Sequence, residues 1–493
     1  MISLGIDLGS SSVKVALVDH VSGRTLASAQ YPPTEMPIDA PRPGWAEQDP
    51  DLWWHALHHA LGILSEQVDL QEVAAIGIAY QMHGLVCVDR EGRVLRPAII
   101  WCDSRAVATG EQAFHELGSD FCLQHYLNSP GNFTAAKLRW LQEHEPELYG
   151  RIHKIMLPGD YLAMRLTGEI TTTLSGLSEG ILWDFQTDRP AEHLLDHWQI
   201  DPGLLPPHRG SFDSTGQVSA AAATELGLRT GTPLTYRAGD QPNNAFSLGV
   251  MQAGEVAATA GTSGVVYGVT DRVGYDPKSR VNTFAHVNHT AAQTRLGVLL
   301  CINGTGIANA WTRRLTQETD YEALNRLAAG VAPGAEGLRV LPFGNGAERM
   351  FENRSLDAQI SGLDYLRHDR SHLYRATLEG IACSFRYGMD ILKENGVQPS
   401  VIRAGRANLF LSAPFRETLA TLTGSRIELY NTDGATGAAR GAAVGMGQEP
   451  EAVFQKLRVV ETVHPDAATR TRYEEIYAEW KGLVERAIGH HKA

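Results

Sequence analysis

One short unit occurs twice in this chain, and the repeat constrains the fold more than any other feature. Residues 8–13 read LGSSSV and residues 260–265 read AGTSGV, roughly 250 residues later, each giving a strand, a turn of glycine and hydroxyl residues, and a second strand. Repetition at this spacing is typical of a duplicated domain. Because 493 residues exceed what one hydrophobic core usually organises, we expect two domains with a cleft between them.

Strand and helix patterns surround both copies of the unit. Strands are predicted over residues 2–6, 13–18, 25–27, 73–79, 234–238, 256–260, 265–269, 338–341, 401–404 and 427–430. A helix is predicted after Asp49, which can cap it, and others over residues 372–392, 413–422 and 435–444. The alternation predicts α/β domains built from mixed sheets with covering helices.

Composition disfavours several classes of protein. A formal net charge of −13 argues against a protein that binds by neutralising nucleic-acid phosphates. The five cysteines form no metal-ligand pattern and indicate a reducing compartment. The sequence has no basic leader and no apolar run of about 18 residues. We therefore expect a cytoplasmic protein with neither a nucleic-acid nor a membrane partner.

The two turns are candidate phosphate sites. Tight turns of glycine and hydroxyl residues let backbone N–H groups approach a phosphate closely, and two of them can clamp a polyphosphate. Acidic residues stand beside both candidate regions: Asp7 precedes the first turn, and Asp240 follows a predicted strand. At such positions a carboxylate can hold Mg²⁺ through water or accept a proton from a substrate hydroxyl.

Many ordered motifs resemble one family, the FGGY carbohydrate kinases of the actin, Hsp70 and hexokinase superfamily, and within it the xylulokinase branch. The matching segments include GIDLGSSSVK from Gly5, QMHG from Gln81, WCDSR from Trp101, AGDQ from Ala238, GTSG from Gly261 and RATLEG from Arg375. The resemblance implies two duplicated ribonuclease-H-like (actin-like ATPase) domains. Residues 1–246 would form the sugar-binding N-terminal domain and residues 247–493 the nucleotide-binding C-terminal domain.

The resemblance also assigns roles to residues. Asp240 matches the catalytic base, and Asp7 matches the acid that holds Mg²⁺ through water, with Asp240 as an alternative metal ligand. The sugar side comprises Gln81, Met82, His83, Asp103, Asp240 and Gln241. The ATP and phosphate side comprises Gly9, Ser10, Ser11, Ser12, Lys14, Gly261, Thr262, Ser263, Gly304, Thr305, Gly405, Arg406 and Asn408.

Two of these residues, Asp103 and Arg406, leave a question of function open. Asp103 is a competing candidate base, yet Asp103 and Arg105 fit an internal ion pair at least as well. Arg406 places a large cation where relatives carry a small residue, which leaves the nucleotide preference open.

The implied activity is transfer of the γ-phosphoryl of ATP to the 5-hydroxyl of D-xylulose, with Mg²⁺. Within the family, the alternatives are L-ribulose, L-fuculose, a hexulose, gluconate or glycerol as acceptor. Outside it, they are a sugar sensor without catalysis, or a nucleotide-dependent chaperone or filament protein. The family also suggests a homodimer by analogy alone.

Overall fold

The chain is described by a computed structural model that covers residues 1–318 and 320–490. Its first half contains a five-stranded sheet in the order β5-β4-β1-β2-β3. The strands are β1 (Ile2–Leu8), β2 (Val13–Asp19), β3 (Arg24–Tyr31), β4 (Val73–Tyr80) and β5 (Leu234–Gly239). β1, β2 and β3 form an antiparallel meander, whereas β4 and β5 extend the sheet in parallel from β1.

The second half contains a seven-stranded sheet in the order β8-β9-β7-β6-β10-β11-β12. These strands are β6 (Val256–Ala260), β7 (Gly264–Thr270), β8 (Asn282–Ala285), β9 (Leu296–Ile302), β10 (Val401–Gly405), β11 (Arg426–Tyr430) and β12 (Val459–Val463). The meander β6-β7-β9 and the parallel pair β10-β11 repeat the order and directions of the first sheet, with β8 and β12 added at its edges. The predicted duplication is confirmed.

Helices cover the two sheets. They are α1 (Pro50–Ser65), α2 (Val107–Leu117), α3 (Ser119–Tyr126), α4 (Thr134–His144), α5 (Pro158–Thr167), α6 (Leu174–Glu179), α7 (Ala220–Leu226), α8 (Asp240–Ser247), α9 (Gly306–Leu315), α10 (Tyr321–Ala329), α11 (Arg370–Glu394), α12 (Ala413–Thr423), α13 (Gly434–Gly445) and α14 (Arg470–His490). Shorter helices cover Pro146–Tyr149, Glu192–His197 and Pro450–Phe454. Asp49 caps α1 as predicted, accepting a hydrogen bond from the Asp51 amide.

The predicted strands are all present, but one lies outside the main sheets. Arg339–Leu341 pairs only with Gln359–Ser361, in a separate two-stranded ladder. Similar short ladders join Glu47–Gln48 to Ala98–Ile99, Val86–Val88 to Lys154–Met156, Thr172–Thr173 to His208–Arg209, Trp183–Asp184 to Arg189–Pro190, and Ala347–Glu348 to Arg354–Ser355. Among the described helices, none has the length and apolar character needed to cross a membrane.

The two halves are joined by helices that pack across the boundary. α13 follows β11 of the second sheet in the chain, yet it lies against β1, β4 and β5 of the first sheet. α8 begins directly after β5 and packs on α13 and on β6. The first residues of both helices therefore lie at the boundary between the two sheets, which we call the cleft.

Candidate active site

The first glycine turn lies at the end of β1, beside Asp7. The Gly9 amide donates a hydrogen bond to the Ser12 carbonyl at 3.0 Å, which closes the turn. Lys14 pairs with Asp7 across the strands, so its ammonium group and the Asp7 carboxylate belong to the same end of the hairpin. Ser11 is exposed, and Gly9, Ser10 and Ser12 are partly exposed. The turn can therefore be reached by a ligand in the cleft.

The second glycine turn is tied to the start of α9. The amides of Gly306 and Ile307 donate to the carbonyls of Gly261 and Thr262, each at 3.0 Å. A Cβ atom on Gly304 would lie 2.0 Å from the Pro342 carbonyl oxygen, which explains glycine there. Thr305 is fully buried, and its hydroxyl donates to the Ile302 carbonyl at 2.8 Å. Thr305 is thus engaged inside the protein, and its hydroxyl does not face the cleft.

Two cavities adjoin these turns and share Asn408. The larger, of about 480 Å³, is lined by Ala260, Gly261, Thr262, Gly306, Ile307, Asn309, Ala310, Tyr321, Asn325, Tyr374, Asn408, Leu409, Leu411 and Ser412. The smaller, of about 250 Å³, is lined by Asp7, Lys14, Asn244, Ser247, Leu248, Ala258, Thr259, Ala260, Gly405, Ala407, Asn408, Phe410, Thr432, Asp433 and Gly434. Lys14 and Gly434, the first residue of α13, line the smaller cavity, and a lysine and a helix N-terminus both attract anions. Arg406 is exposed and lines neither cavity.

Three aspartates meet in the cleft. Burial, and then the negative charge of Asp433, raise the pKa of Asp7 to about 6, while Lys14 opposes that rise. Burial, and then the charge of Asp7, raise the pKa of Asp240 to about 7, and hydrogen bonds from Gln241 act in the opposite direction. Asp240 is therefore a carboxyl group that exchanges a proton near neutral pH, as a general base must.

The N-terminus of α13 faces this group of aspartates. Asp433 caps the helix by accepting a hydrogen bond from the Thr436 amide at 2.8 Å. A Cβ atom on Gly434 would lie 2.2 Å from Asp7 Oδ2, so only glycine lets the helix approach so closely. The Asn243 side chain donates to the Gly434 carbonyl at 2.9 Å and joins α8 to α13. Asp433 was not among the predicted site residues, although an aspartate before a glycine-rich helix is a recognisable cap.

The segment 81–84 lies beside Gly239, the residue that precedes Asp240: a Cβ atom on Gly239 would lie 2.7 Å from Met82 Cγ. Gln81 and Met82 are buried, and the Gln81 side chain donates to Gln48 Oε1 at 3.3 Å. His83 has a left-handed backbone with φ 61°, and its Nδ1 lies 2.9 Å from the Glu179 carbonyl oxygen. Because that carbonyl can only accept, Nδ1 carries the proton and Nε2 is left as an acceptor. Burial, followed by the charge of Lys137, lowers the pKa of His83 to about 3 and keeps the ring neutral.

Asp103 lies apart from the three cleft aspartates. It is fully buried, and Arg105 donates to both of its carboxylate oxygens at 2.7 to 3.0 Å. The Ala46 amide donates to Asp103 Oδ2 at 2.6 Å. This geometry fits the ion-pair alternative, in which Asp103 supports the loop on the sugar side.

A Mg²⁺ ion at this site would need only one or two protein ligands. Among residues 1–318 and 320–490, no three or more His, Cys, Asp or Glu side chains are grouped to hold a metal ion. Mg²⁺ is usually held by one or two carboxylates with water and substrate phosphates, and the carboxylates of Asp7 and Asp433 beside the smaller cavity fit that donor set.

Comparisons with known proteins agree with this site. A model of the FGGY family of carbohydrate kinases, N-terminal domain, matches residues 2–247, and the model of the C-terminal domain matches residues 256–446. The chain is 31% identical to the xylulose kinase of Escherichia coli (strain K12), covering 98% of this chain and 99% of the relative. It is 32% identical to the xylulose kinase of Streptomyces rubiginosus, covering 99% of this chain and 98% of the relative.

Solved structures share the fold over the full length. The xylulose kinase from Rhodospirillum rubrum superposes with a TM-score of 0.89 at 28% identity and covers 99% of each chain. A Plasmodium falciparum glycerol kinase with ADP gives a TM-score of 0.87 at 21% identity, covering 99% of this chain and 98% of that one. The second similarity is one of fold alone.

Proposed function

Because this chain belongs to the FGGY family of carbohydrate kinases, we propose that it transfers the γ-phosphoryl of ATP to the 5-hydroxyl of D-xylulose. One observation carries the proposal. Asp240, with a pKa of about 7, directly follows Gly239, where a Cβ atom would lie 2.7 Å from Met82 Cγ, and its pKa is raised by the charge of Asp7, which lines the smaller cavity with Lys14. Full-length relatives at 31% and 32% identity are xylulose kinases, which supports D-xylulose over the alternative acceptors.

In the proposed mechanism, the sugar binds beside Met82 and His83 with its acceptor hydroxyl against Asp240. Asp240 accepts the hydroxyl proton as the oxygen attacks the γ-phosphorus in line with the leaving oxygen of ADP. Backbone amides of the two glycine turns and the Lys14 ammonium bind phosphate oxygens, which positions the reactants. Mg²⁺, which Asp7 would hold through water, neutralises phosphate charge when it is bound with ATP.

The acceptor is tested by measuring ADP release with Mg-ATP and a panel of D-xylulose, L-xylulose, L-ribulose, D-ribulose, glycerol and gluconate. We expect kcat/KM to be highest for D-xylulose. A preference for another member of the panel reassigns the sugar but keeps the kinase chemistry. No sugar-stimulated release with any member contradicts the proposal and favours a sensor.

The pH profile tests the base. Asp240 accepts a proton only when ionised, so kcat/KM should fall as pH decreases through about 7, whereas a carboxyl at the ordinary 3.8 would stay active well below that. Asp7→Asn removes a negative neighbour, lowers the pKa of Asp240 and should move this acidic limb to lower pH in the residual activity. An acidic limb near pH 4 in the wild type would contradict the assignment.

We further propose a cytoplasmic homodimer. All five cysteines are free thiols, as suits a reducing compartment. Tyr365 and Leu366 are 90% and 98% exposed, beside the exposed Ile360 and Leu363, and such a patch is typical of an interface. Sedimentation equilibrium at micromolar concentration tests the dimer, and a single species at the monomer mass contradicts it.

A further inference from the structure

A second carboxyl group is buried directly beside the proposed base. Glu179, the last residue of α6, is 1% exposed. A Cβ atom on Gly239 would lie 2.4 Å from Glu179 Oε2 and 2.7 Å from Met82 Cγ, so these two side chains fill the space next to Gly239. Gly239 immediately precedes Asp240. The Glu179 carboxyl therefore forms part of the wall between the base and the segment 81–84.

The position of Glu179 is fixed from several sides. Its carbonyl oxygen accepts the Nδ1 proton of His83 at 2.9 Å, and its Oε1 accepts a long hydrogen bond of 3.4 Å from the His83 amide. One residue earlier, the Ser178 hydroxyl accepts a hydrogen bond from the Ala285 amide at 2.8 Å, which ties α6 to β8 of the second sheet. The end of α6 is thus held at the cleft by both halves of the chain.

Glu179 has no cation to neutralise it among the described residues. Arg237, which lies near Tyr80 as Glu179 does, forms its ion pair with Asp160 at 3.0 Å. Burial is the largest influence that raises the pKa of Glu179 well above its ordinary value, and the charges of Asp240 and Asp160 raise it further. An unpaired carboxylate in such surroundings is much less stable than the neutral acid. These surroundings therefore favour the protonated form of Glu179.

We propose that Glu179 is a substrate-positioning residue, a neutral carboxylic acid whose O–H donates a hydrogen bond to an oxygen of the acceptor sugar. His83 Nε2 has the opposite polarity, because it can only accept a hydrogen bond. A donor at Glu179 and an acceptor at His83 would together orient the acceptor hydroxyl toward Asp240. This inference rests on the proposed sugar kinase activity and adds a residue that recognises the acceptor.

The test compares two replacements of similar length. Glu179→Gln keeps a neutral hydrogen-bond donor, whereas Glu179→Met fills the same space without one. We expect Glu179→Gln to lose no more than about threefold in kcat/KM for the sugar that the wild type accepts. Glu179→Met should raise the KM for that sugar by about tenfold to a hundredfold and leave the KM for ATP unchanged, because a buried polar partner is lost.

Two further measurements separate the outcomes. Calorimetric titration of sugar without nucleotide should show the same loss of affinity in Glu179→Met, while thermal melting checks that both variants are folded. The acidic limb of kcat/KM should stay in place in Glu179→Gln, because replacing a neutral acid by an amide changes no charge beside Asp240. The other titratable groups near Glu179 are Asp160, Tyr80, Tyr267 and His83. If Glu179→Met binds sugar as the wild type does, the inference is wrong.

Other outcomes also overturn it. If Glu179→Gln is as impaired as Glu179→Met and its acidic limb moves to lower pH, Glu179 acts as an ionised group. If Glu179→Met does not fold, Glu179→Leu takes its place as the variant without a donor, and loss of sugar affinity in Glu179→Gln contradicts the inference in any case. A wild type that turns over no sugar is a failure of the proposed function, and sugar affinity in the variants is then still compared by calorimetry.

Discussion

Asp240→Asn is expected to lower kcat by about a thousandfold or more while leaving the binding of sugar and ATP nearly intact. Proton transfer by a positioned base contributes about 10²–10⁴ in rate, and an amide cannot accept the proton. The replacement keeps the shape of the side chain and removes a charge that Asp7 already disfavours, so the ground-state complexes should form. The loss should therefore be confined to turnover.

Single-turnover assays with saturating sugar and Mg-ATP measure this effect directly, and calorimetry measures the two affinities. Asp271→Asn is the matched control, because Asp271 is exposed and its loss removes the same charge from the surface. The control should match the wild type within about twofold. Turnover of Asp240→Asn within tenfold of the wild type would place the base elsewhere.

The sequence was most informative where local pattern and duplication agree. The two turns at residues 9–12 and 261–264 come from the same strand–turn–strand unit, so recognising one located the other, and the repeat predicted the duplication that both sheets show. Asp7 and Asp240 were predicted as site residues because each lies at the edge of a predicted strand. A candidate site can be predicted from sequence when one short segment forms both the strand and turn and the residues that would contact the ligand.

Contacts between distant segments were not predictable in this way. Glu179 stands at the end of a short helix, and nothing nearby in the sequence indicates that its carboxyl group lies against Gly239. The small residues of α13 predicted a helix, but not that it would cross to the sheet of the other half. The family resemblance places Thr305 among the nucleotide contacts, and the sequence did not indicate that its hydroxyl donates to the Ile302 carbonyl inside the protein.

The packing of α13 on the first sheet leads to a second prediction, which concerns thermal stability. Gly5→Ala should lower the melting midpoint by about 5 °C or more, because it destabilises the fold by about 3 kcal/mol. A Cβ atom on Gly5 would lie 1.8 Å from the Ala435 carbonyl oxygen and 2.5 Å from the Ala439 nitrogen. Both atoms belong to the helix backbone, so no side-chain rotation can relieve the overlap.

Gly62→Ala is the control, because it makes the same chemical change near the C-terminal end of α1, where a new Cβ atom would have no neighbour within 4 Å. It should raise the midpoint slightly, since alanine favours a helix by about 1 kcal/mol over glycine. Scanning calorimetry of both variants separates the steric overlap of the new Cβ atom from the intrinsic effect of replacing glycine by alanine.

Because α13 also brings Gly434 against Asp7, a displaced helix in Gly5→Ala should also reduce activity at temperatures below the melting range. A Gly5→Ala protein with wild-type melting and activity would mean that the helix and the sheet are not held at this distance.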